Sequence, residues 1–267
     1  MQQSGVITIT TDFGHKGPFT AVMKGIIYTR FPAAKVIDLA HDIPPQWPPE
    51  AGFWVSRSYQ YFPAGSVHLA IVDPGVGTER DILIVEYDQH IFIAPDNGLL
   101  GRMLDNATDA RVFKLDSKCL PRLGIENPSM TFHGRDIFAP VAAELAAGRL
   151  SLTAIGKAVT EWTPGWLDEP EVGADKVSGT IITIDAFGNL ISNIDASLIK
   201  DFREPVAHIA GRQIPTLTTY GRAKPGDLLA LINSFDVIEI AKSEGSAAEG
   251  LGSERGAPLV ITDGYTT

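Results

Sequence analysis

The sequence predicts an α/β fold: an amino-terminal domain with a largely parallel, Rossmann-like central sheet, then a smaller carboxyl-terminal β-barrel domain. Three observations predict it. Residues 6–10, 35–39 and 67–72 are short β-branched or aliphatic runs, the composition of strands that are buried or half-buried. The stretches between them carry helical periodicity, which gives a β-α-β-α-β order and hence parallel strands. Beyond about residue 165 that periodicity fades, and short strands parted by glycine and proline replace it, the pattern of a small barrel or sandwich.

Each element has its own signal. Residues 6–10 form the first strand and run straight into Thr11-Asp12-Phe13-Gly14. Gly17-Pro18 opens a helix, with proline where its missing N–H is harmless. Phe19, Val22, Met23, Ile26 and Ile27 are expected on one face of it, and Pro32 ends it. The second strand, 35–39, leads into a proline-stiffened loop over 41–49 that contains Trp47. Ala51, Trp54, Val55, Tyr59 and Phe62 then mark a second helix. The third strand, 67–72, stops at Asp73, and Pro74, Gly75 and Gly77 turn the chain tightly before Arg80. Residues 82–85 and 91–94 flank Asp88-Gln89 as a hairpin. A further strand-end loop follows at 94–98, then a short helix over 99–104. Residues 106–130 carry no clear pattern. Thr131-Phe132-His133-Gly134-Arg135-Asp136 precedes a helix that is expected to start near Asp136 and to end at Gly148.

The prolines and acids of Thr163–Pro170 read as a linker, set at 166–175, which gives domains at 1–165 and 176–267. In the second domain, strands are expected at 177–184, 206–209, 228–232, 237–240 and 259–262. Residues 243–256, rich in Gly, Ser, Ala and Glu, read as a mobile loop.

Composition narrows the function classes. At 267 residues with 44% hydrophobic content, the chain can bury a sizeable core. A net charge of −10 argues against a nucleic-acid backbone or an anionic membrane as partner. The single cysteine, Cys119, forms no disulfide framework and points to a reducing compartment. No signal-peptide pattern opens the chain and no apolar run approaches the ~20 residues that span a bilayer. The expected setting is therefore cytoplasmic.

The chemistry-bearing residues gather at strand ends. Asp12, Asp73 and Asp96-Asn97 follow strands of one sheet, and open α/β sheets place their ligands at that edge. His133 lies in F-H-G-R-D, and Asp185-Ala186-Phe187-Gly188-Asn189 forms a later acidic loop. Any one of these carboxylates could simply cap a turn; jointly they read as a site. No His or Cys spacing typical of a metal centre accompanies them, so neither metal nor cofactor is expected.

The motifs T-D-F-G, V-D-P-G-V-G-T-x-R, A-P-D-N-G-L-L, F-H-G-R-D-I-F-A-P and F-G-N-L-I-S-N occur here in that order. Together they resemble the S-adenosylmethionine hydroxide adenosyltransferase family, hydrolase relatives of the fluorinase and chlorinase enzymes. The resemblance spans Thr11 to about Lys242. It implies attack of water at C5′ of S-adenosyl-L-methionine, releasing adenosine and L-methionine. It assigns water activation to Asp73, Arg80 and His133. The halogenating relatives replace that aspartate, so its retention favours water over halide.

Such a set makes chemical sense. Water is a poor nucleophile, with a pKa near ~15.7. Arg80 would stabilise the developing charge on oxygen, while Asp73 or His133 accepts the proton. The resemblance further implies that Asp12 binds the ribose hydroxyls and that Trp47 lies against the sulfonium. Asp185, Phe187, Asn189 and Ser234 would complete the substrate contacts. Phe235 departs from the fluorinase pattern, which has arginine there, and the Asp185-Ala186-Phe187 loop is one residue shorter. A homotrimer with sites at subunit interfaces is implied as well. Two other readings use the same residues: a protein that binds S-adenosylmethionine or a nucleoside without turnover, and a halide adenosyltransferase.

Overall fold

The computed structural model describes residues 2–264; position 1 and positions 265–267, which the expected domain spans include, lie outside them. The chain separates into two compact units, Met1–Leu167 and Asp168–Thr267.

The first unit is built on a seven-stranded sheet. Its strands are β1 (Val6–Thr11), β2 (Lys35–Ala40), β3 (Val67–Ile71), β4 (Ile82–Tyr87), β5 (His90–Pro95), β6 (Arg111–Leu115) and β7 (Gly156–Ala158). They lie in the order β2-β1-β3-β5-β4-β6-β7. Pairings from β2 to β5 are parallel; those from β5 to β7 are antiparallel. The reversal comes from the β4–β5 hairpin, whose turn residues Asp88 and Gln89 both take positive φ. That is the turn geometry whose twist matches a two-residue hairpin.

Helices α1 (Phe19–Arg30) and α2 (Pro48–Ser58) provide the crossovers between the parallel strands, and α3 (Gly101–Asp105) follows β5. Helix α2 begins inside the expected proline-rich loop, because Pro48 and Pro49 occupy first-turn positions that need no N–H. On α1 the expected apolar face is only partly inside. Met23 and Ile27 are buried, while Phe19 and Val22 are exposed. The Phe19 ring instead packs edge-on against Phe132, centroids 5.4 Å apart.

Two apolar cores sandwich the sheet. One holds Ile7, Ile9, Leu69, Ile84 and Ile93 with Met23, Phe138 and Leu145. The other holds Val72, Val85 and Phe92 with Ala51, Val55 and Leu99. Alternation along each strand supplies both cores. Buried polar groups occupy the sheet as well. His68 accepts from or donates to Thr8 at 2.9 Å and meets His90 at 3.0 Å. Burial, with the neighbouring His90 adding, pushes the His68 imidazole down to about 3.

The second unit is an antiparallel, nearly closed barrel-like sheet. Its strands are β8 (Glu171–Val172), β9 (Lys176–Ile184), β10 (Leu190–Asp195), β11 (Pro205–Ile209), β12 (Arg212–Pro215), β13 (Leu228–Ile232), β14 (Val237–Lys242) and β15 (Pro258–Asp263). The order is β12-β11-β15-β9-β10-β14-β13, with β8 pairing β9. An N–H from Leu217 to the Ala230 carbonyl, 2.8 Å, brings the two sheet edges together. Strand β8 falls within the segment read as a linker. The stretch read as a mobile loop contains helix α6 (Ala247–Leu251), with α4 (Ala139–Ala146) and α5 (Leu152–Ile155) preceding it in the chain. Helix α6 forms because the Ser246 hydroxyl caps it by accepting from Glu249 N–H, and because Ala247 is buried in the barrel core. Gly and Ser there mark a cap and a turn rather than a free loop.

In α2, Gly52 faces the Leu99 carbonyl, where an added Cβ would lie 2.1 Å from the oxygen. Gly52→Ala is expected to destabilise the first unit by about 1–3 kcal/mol, measured as a lower midpoint in urea unfolding of the full chain.

Candidate active site

Strands β1, β3 and β5 are parallel, so their carboxyl ends share one edge. Asp12 follows β1, Asp73 follows β3, and Asp96-Asn97 follows β5. The side chain of Asn97 donates to the Val72 carbonyl at 2.8 Å and ties two of these ends together. Asp96 is occupied structurally: it accepts from Thr163 N–H and pairs with Lys114 at 3.1 Å.

The loop after β3 turns back on itself through Val76 N–H to the Asp73 carbonyl and Thr78 N–H to the Gly75 carbonyl. Gly77 takes φ +78° and sits against the Met130 carbonyl, where a Cβ would lie 2.2 Å away. Only glycine permits both the conformation and that approach. Arg80 thereby returns to Asp73. Its Nε donates to both carboxylate oxygens at 2.9 Å, and its Nη2 donates to Asp73 Oδ2. Both side chains are largely out of water, 10% exposed for Arg80 and 5% for Asp73. The guanidinium also stands over the Phe138 ring, 5.5 Å from its centroid.

His133 joins this pair. Its Nδ1 lies 3.0 Å from Arg80 Nη2. A guanidinium has no lone pair to offer, so Nδ1 accepts and the neutral ring carries its proton on Nε2. Burial and the Arg80 charge lower the affinity of the imidazole for a second proton, while Asp73 and Asp136 oppose them. The ring is placed by a π-helical turn over Gly134–Phe138, and then α4 continues. The expected regular helix from Asp136 is therefore replaced at its start by a wider turn, a feature that recurs at functional sites. Arg135 and Asp136 pair with each other, and Asp136 Oδ2 accepts from Ser129 N–H at 2.8 Å.

Asp12 and Trp47 come together through the chain. Asp12 Oδ2 accepts the N–H of Gln46 at 2.9 Å, which places Trp47 one residue away. Trp47 meets Trp166 edge-on at 5.9 Å, and its own indole N–H has no partner. The Asp12 loop is further clamped from Thr11 Oγ1 to His41 Nδ1, 2.9 Å, and from Gly14 N–H to the His41 carbonyl, 2.8 Å. Phe13, next to Asp12, packs against Phe132, next to His133, with centroids 5.9 Å apart. The loops bearing Asp12 and His133 are thus in contact.

The second unit has a cavity of its own, ≈ 710 Å³, lined by Asp185, Phe187, Asn189, Tyr220 and the segment from Lys242 to Gly245. Asp185 folds its mouth: Oδ1 accepts from Phe187 N–H and Asn189 N–H, and Oδ2 accepts from Asn189 Nδ2. Phe187 is 79% exposed. Ser234 is not part of that lining; it sits exposed on the turn between β13 and β14. Sequence reasoning passed over Tyr220 and Glu239. Tyr220 gives no periodic signal, but Glu239 does, as an acid inside the apolar run 237–241.

The comparisons with known proteins agree in kind. A family model described as the SAM hydroxide adenosyltransferase N-terminal domain matches residues 7–156, and its C-terminal domain counterpart matches 179–260. An (R)-S-adenosyl-L-methionine hydrolase from Thermus thermophilus is 36% identical over 93% of this chain and 96% of its own. A fluorinase from Actinoplanes sp. is 23% identical over 96% of this chain and 97% of its own. The crystal structure of an uncharacterized conserved protein from Thermotoga maritima superposes with a TM-score of 0.88 at 32% identity, covering 96% of this chain and 99% of that one.

Neutral His133 held by Arg80 has a direct readout. Followed by NMR, its ring is expected to titrate below 6.5, and Arg80→Gln is expected to move that titration upward. The sign follows because the substitution removes a lowering charge and leaves the Asp73 charge, which raises it. An unchanged titration would show that the contact is not maintained in solution.

Proposed function

The chain belongs to the SAM hydroxide adenosyltransferase family, and from that premise we propose that it hydrolyses S-adenosyl-L-methionine to adenosine and L-methionine. The oxygen of water bonds to C5′. The C5′–S bond breaks, and its electron pair stays on sulfur as the thioether of methionine. The water gives up one proton. The sulfonium charge is cancelled in the process, so a site poor in water favours the displacement.

The observation that carries this reading is the hydrogen-bonded Asp73, Arg80 and His133 set at the carboxyl edge of the sheet. In it Arg80 stabilises negative charge developing on the attacking oxygen. Because Arg80 occupies Nδ1 of His133, the imidazole offers Nε2–H to the water oxygen as an orienting donor. Asp73 is then the proton acceptor. Asp12 receives hydrogen bonds from the ribose hydroxyls, and Trp47 offers an aromatic face to the sulfonium cation. Asp185, Phe187, Asn189 and Ser234 contribute the remaining contacts. The working form is a cytoplasmic homotrimer with its sites at subunit interfaces, and the reaction uses no metal or cofactor.

The halide alternative has less support. The fluorinase relative is more distant than the hydrolase relative, 23% against 36% identity, and Asp73 fills the nucleophile side with negative charge. The non-catalytic alternative leaves the paired Asp73 and Arg80 beside a neutral imidazole without a task.

Incubation of the purified chain with S-adenosyl-L-methionine in oxygen-18 water is the test. Expected products are adenosine carrying the label at its 5′ hydroxyl and unlabelled methionine. Asp73→Ala is expected to lower kcat by about 100-fold, the scale of a lost proton acceptor, and His133→Ala by about 100-fold as well, the scale of a lost hydrogen-bond donor that places the attacking oxygen. Intact substrate after long incubation selects the binding-only reading, and a 5′-halogenated nucleoside on adding chloride selects halide transfer.

A further inference from the structure

Strand β14 is buried on both faces. Ile238 and Ile240 are fully inside the barrel core, and Glu239 between them is only 3% exposed. A carboxylate in such a place is costly unless both oxygens find donors. Glu239 does find them. The Tyr220 hydroxyl donates to Oε1 at 2.6 Å, and the Asn233 amide donates to Oε2 at 3.1 Å.

These two donors belong to different pieces of surface. Tyr220 is a wall of the cavity that also contains Asp185, Phe187 and Asn189. Asn233 shapes the turn between β13 and β14: its side-chain oxygen accepts from Phe235 N–H at 3.0 Å and from Val237 N–H at 3.4 Å. The same turn carries Ser234, and its residue Asp236 has φ +57°. One buried carboxylate therefore holds both a cavity wall and a neighbouring turn.

We propose that Glu239 is a positioning residue for S-adenosyl-L-methionine, fixing the Tyr220 ring in the cavity and, through Asn233, the turn that bears Ser234. The inference rests on the hydrolase reading. Holding these groups in advance removes the ordering cost from substrate binding, so the effect falls on KM rather than on the chemical step. The electrostatics agree with the geometry. Burial, with the Asp185 charge adding, raises the Glu239 carboxyl above its ordinary range, although both hydrogen bonds pull it down. Tyr220 is raised as well, by burial first and then by Glu239 and Asp185, so its phenol stays protonated and remains a donor.

Steady-state hydrolysis of S-adenosyl-L-methionine by the full chain, with thermal unfolding alongside, tests the assignment. Glu239→Leu keeps similar bulk and removes the acceptors. It is expected to raise KM about tenfold with kcat within threefold of the parent. Glu239→Gln keeps one acceptor for Asn233 and supplies an N–H for the Tyr220 oxygen, and is expected to bring KM back to within threefold. A KM in Glu239→Leu within threefold of the parent overturns the proposal; so does an equal loss of kcat in both variants at unchanged KM, the mark of a purely structural residue. Should Glu239→Leu not fold, Tyr220→Phe breaks the same hydrogen bond from the other side, and a parental KM there overturns the proposal. If the parent binds S-adenosyl-L-methionine in calorimetry without cleaving it, hydrolysis is refuted, and the same comparison made on Kd still decides the role of Glu239. A parent that neither binds nor cleaves it overturns both.

Discussion

The ion pair of Asp73 and Arg80 is the interaction on which the site depends. Each charge is nearly out of water, and neither is tolerable there alone, since breaking a buried pair leaves an uncompensated charge. Fork geometry satisfies the carboxylate from one side through Nε and one hydrogen of Nη2, and the second hydrogen of Nη2 reaches His133. The pair therefore bears on two things together: the return of the loop after β3 and the tautomer of His133. Aromatic packing of Phe13, Phe19 and Phe132 then fixes how the neighbouring loops approach it.

The two units handle polar groups in different ways. In the first, the candidate site residues stand beyond the ends of parallel strands, where backbone pairing stops and side chains from separate loops can meet. In the second, the polar groups are woven into the barrel. Asp185 organises its own loop through three hydrogen bonds, and Glu239 is embedded in a strand. The first arrangement lets side chains from separate loops meet beyond the sheet; the second fixes them by hydrogen bonds within the barrel.

How much of this the sequence reveals depends on how local each determinant is. The parallel strands, both crossover helices and the hairpin all follow from runs of residues whose periodicity is a local property. So do the strand-end aspartates, because a carboxylate next to glycine and proline after an apolar run is visible in a short window. His133 stands out in F-H-G-R-D by its residue type beside glycine, and the family resemblance gives it a role; the structure supplies its distance to Arg80. What stayed hidden depends on packing. Phe19 and Val22 fit the helical stripe but lie outside because an aromatic cluster, not the sheet, receives Phe19. Strand β10 was obscured by the polar residues of L-I-S-N, although Ser192 and Asn193 are buried and their side chains are hydrogen-bonded to backbone. Helix α6 was hidden by small residues that serve as cap and core. The π turn beside His133 leaves no compositional trace.

The hairpin that reverses the sheet has a consequence for the loop joining β3 to β4. Because β4 runs against β5, it begins at the same edge where β3 ends, and the connection arches over the end of β5 without crossing to the far side. Both feet of the arch are anchored in sheet register, like a span between fixed piers. Its length of chain, together with the turn at Gly77, then sets how far the guanidinium stands from the carboxylate, and an inserted or deleted residue would retune that separation.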